Sequence, residues 1–391
     1  MLLLDLETRS HADLPKVGAD QYAIHPTTQV LVMSFKLIGS AIPCSWMPLH
    51  PDLSPNTATH ARDMWTTLTI GDHMIVAHNS DFDRAVYNAV LVQDYGFPEI
   101  PIERWMDSAA LARINGLPSS LEDACAVTDA AHKKYARGKM LIRELSLPPF
   151  NEDPKLLDEM RVYCEADIAS LENLMEVMRP MMGPEHEDWL ITHEINARGI
   201  PLDVELATEA VKYATAEKEA IGGRLAKLTG DVVTAPTQVK RAKDWLEVFI
   251  DPAVFAACTD HGRTLDKGAR ADLLAEPDLA PAVREVIECI DAGNLASVGK
   301  YQRMVDMVDP HDGRVRGAIV HAGAGRTQRF SSRGMQIHNF RRDVFGAHEA
   351  EGARECILAH DSLVEPMTTL ARMLRSAIVA SPGHVLIVGD W

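Results

Sequence analysis

No Cys-x-x-Cys pair occurs anywhere in this 391-residue chain. Its six cysteines, at 44, 125, 164, 258, 289 and 356, lie scattered, which excludes the paired spacing of a zinc or dithiol site. Reduced thiols in a cytosolic protein are the simplest expectation. Long apolar runs are lacking too: none approaches the roughly 20 residues that cross a bilayer. The opening Met1-Leu-Leu-Leu4 is cut short by Asp5 without a basic lead, so it is not expected to be a signal peptide. Internal repeats and low-complexity segments are absent. Basic residues are in deficit, 39 Lys and Arg against 56 Asp and Glu, for a net charge of −17. That balance argues against a uniformly basic nucleic-acid surface. What is present is an ordinary globular composition, 46% hydrophobic and 24% charged, in a chain long enough for two or three domains.

The most informative feature is a set of three fragments: Asp5-Leu6-Glu7, Asn79-x-x-Phe82-Asp83 and Tyr163-x-x-x-Asp167. Met1 to Thr8 reads as a buried strand, and side chains two apart on a strand face the same way, so Asp5 and Glu7 project together. Met74 to Asn79 reads as a second strand, followed by a polar turn and a helical stretch from Phe82 to Leu91. Asp83 then sits near a helix start, where the backbone dipole favours a carboxylate; Asp81 is its local competitor. The third fragment lies on a helical pattern from Pro154 to Met178, whose apolar stripe is Leu156, Met160, Cys164, Ile168, Leu171, Met175 and Met178. Tyr163 and Asp167, four apart, neighbour each other along its edge. Adjacent acids repel and share protons unless a cation lies between them, and an acid at the rim of a core is costly unless paired or bound to metal. Taken singly, Asp-x-Glu is commonly a surface pair, and Tyr-x-x-x-Asp is commonly a tyrosine hydrogen-bonded to an acid. All three in this order point to a two-metal site that cleaves phosphodiesters.

Residues 1–182 alternate strands and helices as an α/β domain, with Val30–Ile38 and Ala41–Trp46 expected to form a hairpin. Pro180 to Pro184 marks a junction. Residues 183–308 read as almost purely helical: Glu185–Arg198 ending at Gly199, Val204–Leu228, Val239–Phe249 and Ala282–Met307, the last with Gly293 and Gly299 as weak points. From 309 a strand over Gly313–His321, a Gly- and Arg-rich loop, a helix near Val364–Val379 and a closing strand Val385–Asp390 are expected. Seven arginines and no acid fall between Arg314 and Arg342. Phosphate contact depends on local potential, so this block can meet DNA on an acidic protein; a solvated basic face fits the spacing as well.

The three fragments resemble the motifs of the DEDD 3′–5′ exonuclease superfamily. Tyr163, where other members carry His, resembles the Tyr-type branch found in proofreading domains of family A DNA polymerases. The resemblance implies a ribonuclease H-like α/β fold, a mixed sheet flanked by helices. It implies that Asp5, Glu7, Asp83 and Asp167 bind two Mg²⁺ or Mn²⁺ ions, that Tyr163 orients the attacking water, and that Thr8 and Asn79 touch the 3′-terminal nucleotide. Ala324-Gly-Arg-Thr-Gln-Arg-Phe-Ser-Ser332 with Gln336-Ile-His-Asn339 similarly resembles the first polymerase motif of that family. Thr327, Arg329, Ser331, Ser332 and Asn339 match it; Gln328 stands where Gly is usual and His338 where Gln is usual. Arg326, Arg329, Ser331 and Asn339 are the implied DNA contacts, with Arg329 near the nascent pair. Asn196 to Asp203 and Pro236-Thr-Gln238 resemble the thumb of phage-type members. Asp390, at the end of Val385–Asp390, matches the catalytic Asp of polymerase motif A.

The resemblance therefore implies an exonuclease domain over 1–182, a helical thumb over 183–308 and a partial α+β palm over 309–391. The expected substrate is a single-stranded or frayed DNA 3′ end beside a primer–template duplex, released as deoxynucleoside monophosphates. With nothing after motif A, the chain is expected not to polymerise DNA alone, and a second polypeptide carrying the rest of palm and fingers is a possible partner. Two rival expectations are a stand-alone ribonuclease of the RNase D type, which the 324–339 motif disfavours, and a non-catalytic DNA-binding subunit, which the intact acids disfavour.

Overall fold

The computed structural model describes residues 1–50, 55–129, 135, 137–295, 297–387 and 389. The chain forms two compact units, Met1–Ile200 with Asp306–His338, and Pro201–Val305 with Asn339–Trp391.

The first unit is mixed α/β. Strands β1 (Leu2–Arg9), β2 (Gln29–Leu37), β3 (Cys44–Trp46), β4 (Ile75–Ala77) and β5 (Trp105–Asp107) form one sheet in the order β3-β2-β1-β4-β5. β1 runs antiparallel to β2 and parallel to β4, which is parallel to β5. The central strand is covered on both faces, which is why Leu2-Leu3-Leu4 is continuously apolar. Leu2, Leu4 and Leu6 enter a large cluster with Phe35, Trp65, Tyr87 and Trp105. Leu3 turns the other way, onto Ile168 and Leu171 of the helix Pro154–Val177. Asp5 and Glu7 share that second face by the same alternation. The pairing slips between Glu7 and Thr8, which face Val32 and Val30 and leave Leu31 as an extra residue on β2. Such a bulge bends the strand and re-aims side chains beside it.

On the helix Pro154–Val177 the buried residues are Leu157, Met160, Cys164, Ile168, Ser170, Leu171 and Leu174. The expected stripe is thus corrected at two places: Leu156 and Met175 pack only partly buried, while Leu157 and Leu174 go inside. The helix Gly183–Arg198 belongs with this unit because Trp189 is buried in the large cluster. It stops at Gly199, whose φ of 72° favours glycine and where a Cβ would lie 3.0 Å from Arg316 Cγ. Residues 306–338 return to complete the unit. Asn196 holds them with both ends of its amide: Nδ2 donates to Ile319 O at 2.8 Å and Oδ1 accepts from Ile319 N at 2.9 Å. The expected strand over 313–321 is interrupted, leaving the two-residue pieces Arg314–Val315 and Ile319–Val320.

The second unit is helical. Val204–Thr229 starts on Asp203, whose Oδ1 accepts from Leu206 N, and Val239–Phe249 follows as expected. The long helix expected over Ala282–Met307 is two helices, Pro281–Gly293 and Gly299–Met307. Asn294 ends the first, its Nδ2 donating to Ile290 O and Pro236 O. Between the Arg-rich loop and Pro366–Met373 lies a helix that the sequence reading did not anticipate, Ala347–Ala359. The closing strand is not formed over its described residues: Val385 and Ile387 are 81% and 92% exposed. Asp390 lies outside the described residues. Among the described residues no helix is long and apolar enough to cross a membrane.

Candidate active site

Asp5, Glu7 and Asp167 meet where β1 faces the helix Pro154–Val177. One carboxylate oxygen from each lies within 4.8 Å of the others. Asp83 joins from the helix Ser80–Val86, 4% exposed, with its carboxylate accepting hydrogen bonds from the backbone amides of Leu6 and Asp83. The Leu6 bond ties that helix start to the stretch of β1 between the other two acids. Asp81, the competing acid, faces elsewhere: its Oδ1 is 3.0 Å from His193 Nδ1 and its Oδ2 3.9 Å from Arg333 Nη2.

Packing these acids together in a buried place works against ionisation. Burial, then the Asp167 carboxylate, pushes Asp5 up to about 7, opposed by a hydrogen bond from Cys164. Glu7 rises well above the usual carboxylate range through burial, then Asp5, Asp167 and Asp83. Asp83 rises through burial and then Asp5. Nearby Asp107 is the contrast. Burial pushes it up as well, but Arg113, His78 and the Ala109 amide outweigh this and hold it below its usual value. A salt-bridged acid and a cluster of acids with raised pKa values thus sit side by side. An all-carboxylate donor set with no nitrogen or sulfur ligand suits Mg²⁺ or Mn²⁺.

Tyr163 stands at the edge of the cluster and hydrogen-bonds Asp167 through its side chain. Burial, then Glu7, Asp167 and Asp5, raise its hydroxyl far above an ordinary phenol, so it is a neutral donor. Its ring lies on the backbone of Gly138, where a Cβ would be 3.0 Å from Cε2. Sequence reading missed this glycine platform, which no spacing signal marks.

The remaining expected contacts are placed as follows. Thr8 is buried and its Oγ1 lies 2.9 Å from Tyr22 Oη. Asn79, at φ 67°, precedes the helix Ser80–Val86 in left-handed conformation, and its Oδ1 accepts from Arg333 Nη1 at 3.3 Å. Asp107 Oδ1 clamps this turn by accepting from Asn79 N at 2.8 Å and Ser80 N at 3.2 Å. Arg326 and Arg329 are exposed, Ser331 is half-buried in a short strand paired with Ile319–Val320, and Asn339 is exposed. Ser332 Oγ contacts His338 Nδ1. Gln328 has φ 53°, which accounts physically for the glycine usual at that motif position, and its Nε2 donates to Ile114 O at 3.0 Å. Of these residues, Thr8 stands beside Glu7 and Asn79 near Asp83 in the chain.

The chain is 25% identical over 414 aligned positions to a DNA polymerase of Bacillus phage SP02, a match spanning 100% of this chain and 59% of that protein. The chain therefore covers less than two thirds of that relative's length. No protein-family model matches. Among solved structures, the polymerase domain of Pol1 from M. smegmatis, determined with DNA primer-template and dNTP, overlaps 98% of this chain and 55% of its own at 13% identity and a TM-score of 0.48. That overlap is too loose to carry weight. The chain is thus similar along its whole length to part of a phage DNA polymerase.

Proposed function

We propose that the chain serves DNA replication and that its first unit is a two-metal 3′–5′ exonuclease of ribonuclease H-like fold, removing deoxynucleoside monophosphates from DNA 3′ ends. The convergence of Asp5, Glu7 and Asp167 within 4.8 Å carries this reading. Asp5, Glu7, Asp83 and Asp167 would hold two divalent ions, Mg²⁺ or Mn²⁺. Such ions supply a water of lowered pKa and neutralise charge on the departing 3′-oxygen. The chain's own part is positional. The bulged end of β1 presents two acids on one face, the amide of Leu6 fixes Asp83, and Tyr163, neutral and bonded to Asp167, orients the attacking water. Thr8 and Asn79 flank the acids and would meet the terminal nucleotide. Melted DNA is the fitting substrate because a single terminal nucleotide must leave the base stack before its phosphodiester can lie against the acids.

In this reading residues 1–182 carry the nuclease, 183–308 a thumb and 309–391 a partial palm, with Arg326, Arg329, Ser331 and Asn339 addressing primer–template DNA and Asp390 standing as the motif A acid. The test is hydrolysis of a 5′-labelled single-stranded DNA oligonucleotide with Mg²⁺ or Mn²⁺, beside a matched RNA. Stepwise loss from the DNA 3′ end is expected. Asp167→Ala should lower the rate at least about a thousandfold while circular dichroism stays native. Faster loss from RNA would favour an RNase D-type enzyme, and no loss from either would leave a DNA-binding role.

A further inference from the structure

We infer that Cys164 is a positioning residue for Asp5, the inner end of a polar row that fixes this carboxylate for cation binding; the inference rests on the metal-centre reading above. The sheet register creates the row. Asp5 on β1 pairs with Ser34 on β2, and Ser34 pairs with Ser45 on β3, so three polar side chains line up across three strands. The helix Pro154–Val177 lies over this face and supplies the connections. Cys164 Sγ is 3.0 Å from Asp5 Oδ2 and 3.5 Å from Asp5 O, and it is hydrogen-bonded to the Ser34 side chain. Ser34 Oγ lies 2.8 Å from Ser45 Oγ, Ser45 Oγ donates to Glu165 Oε1 at 2.8 Å, and Arg161 Nη1 donates to the same oxygen at 2.8 Å.

Ser34 and Cys164 are both fully buried. Along β2 the neighbours of Ser34 are Val32, Met33 and Phe35, so a serine there sacrifices apolar contact for polar connection. Counting protons gives the direction. With both end groups ionised, the row has one proton each on Cys164, Ser34 and Ser45 between two carboxylates. The outer groups therefore donate outward, Cys164 to Asp5 and Ser45 to Glu165, and the single Ser34 proton serves one of its two neighbours while the other contact is close packing of polar atoms. One oxygen of Asp5 is thereby held by a buried donor whose own place is set by the strands, which restricts rotation of the carboxylate. Partners of metal ligands in this position commonly govern affinity as much as orientation.

The test is Mn²⁺ binding to the full chain, followed by calorimetry and by electron paramagnetic resonance, with DNA hydrolysis measured beside it. Cys164→Val keeps the volume and removes the donor; Cys164→Ser keeps a donor. We expect Cys164→Val to weaken Mn²⁺ binding by about 10- to 100-fold and Cys164→Ser to recover most of that affinity. Ser34→Ala, which leaves the Cys164 packing intact, should shift it in the same direction and stands in if Cys164→Val does not fold. Unchanged Mn²⁺ affinity in folded Cys164→Val or Ser34→Ala overturns the positioning role while the metal centre stands. Absence of Mn²⁺ uptake by the unsubstituted chain, with Asp167→Ala indistinguishable from it, overturns the metal centre itself and the row with it.

Discussion

Burial and mutual repulsion both oppose the negative charges of Asp5, Glu7 and Asp83, and this has a measurable cost for the metal-free protein. Their folded pKa values lie above the unfolded ones, Asp5 going from 3.8 to about 7. Across that window the native state keeps protons that the unfolded chain has released. Stability therefore falls as pH rises from about 4 to about 7. In EDTA, the melting temperature is expected to drop over this range. Added Mn²⁺ should restore it, more at pH 8 than at pH 5, by about 2.7 kcal/mol at a hundredfold excess over Kd. A melting temperature independent of pH in EDTA would remove the clustered-acid account. The pairing of Asp5 with Glu7 was legible in the sequence because strand alternation is a local rule. Choosing Asp83 over Asp81 rested on the motif resemblance alone, since its physical reason, the pairing of Asp81 with His193, comes from a helix more than a hundred residues later.

Close backbone approaches add to apolar stripes in fitting the helices together. Gly222 and Gly223 lie side by side in the helix Val204–Thr229 and differ sharply. A Cβ on Gly222 would sit 2.6 Å from the Thr234 carbonyl oxygen, and one on Gly223 would meet nothing within 4 Å. Thr234 is exposed, but its backbone is anchored by buried Val233 before it and buried Pro236 two residues later. Gly222→Ala should therefore destabilise by about 1–3 kcal/mol. Gly223→Ala should stabilise by roughly 0.5–1 kcal/mol through helix propensity. Urea titration of both variants measures the pair, and equal effects would contradict the packing. Helices with strong periodicity, such as Val239–Phe249, were read to the residue. The split falls between Gly293 and Gly299, the weak points marked in the sequence, but that it ends the helix depends on a cap that includes Pro236 O from a remote turn. The closing strand was overcalled, since an apolar run alone cannot tell a buried strand from the exposed stretch found at Val385–Ile387.

At the scale of the whole chain, the arginine block between 314 and 342 is not one surface. Arg314 is spent on the carbonyls of Arg198 and Gly199, Arg316 on Asp309 and Asp312, and Arg333 on Asn79 and Asp81. Arg341 pairs with Asp343, while Arg326, Arg329 and Arg342 are exposed and can meet phosphate on a protein of net charge −17. Arg329→Ala should weaken primer–template binding for all sequences alike and lower the slope of log Kd against log salt by about 1. Single-strand hydrolysis should be spared, and an unchanged slope would refute the phosphate contact. The first unit also has a consequence for synthesis of the protein. Its last piece, Asp306–His338, is translated only after Pro201–Val305 has been synthesised. Asn196 consequently waits more than a hundred residues for Ile319. At about 5–20 residues per second, the nascent α/β layer stays unfinished for several seconds while a helical insertion grows out of it.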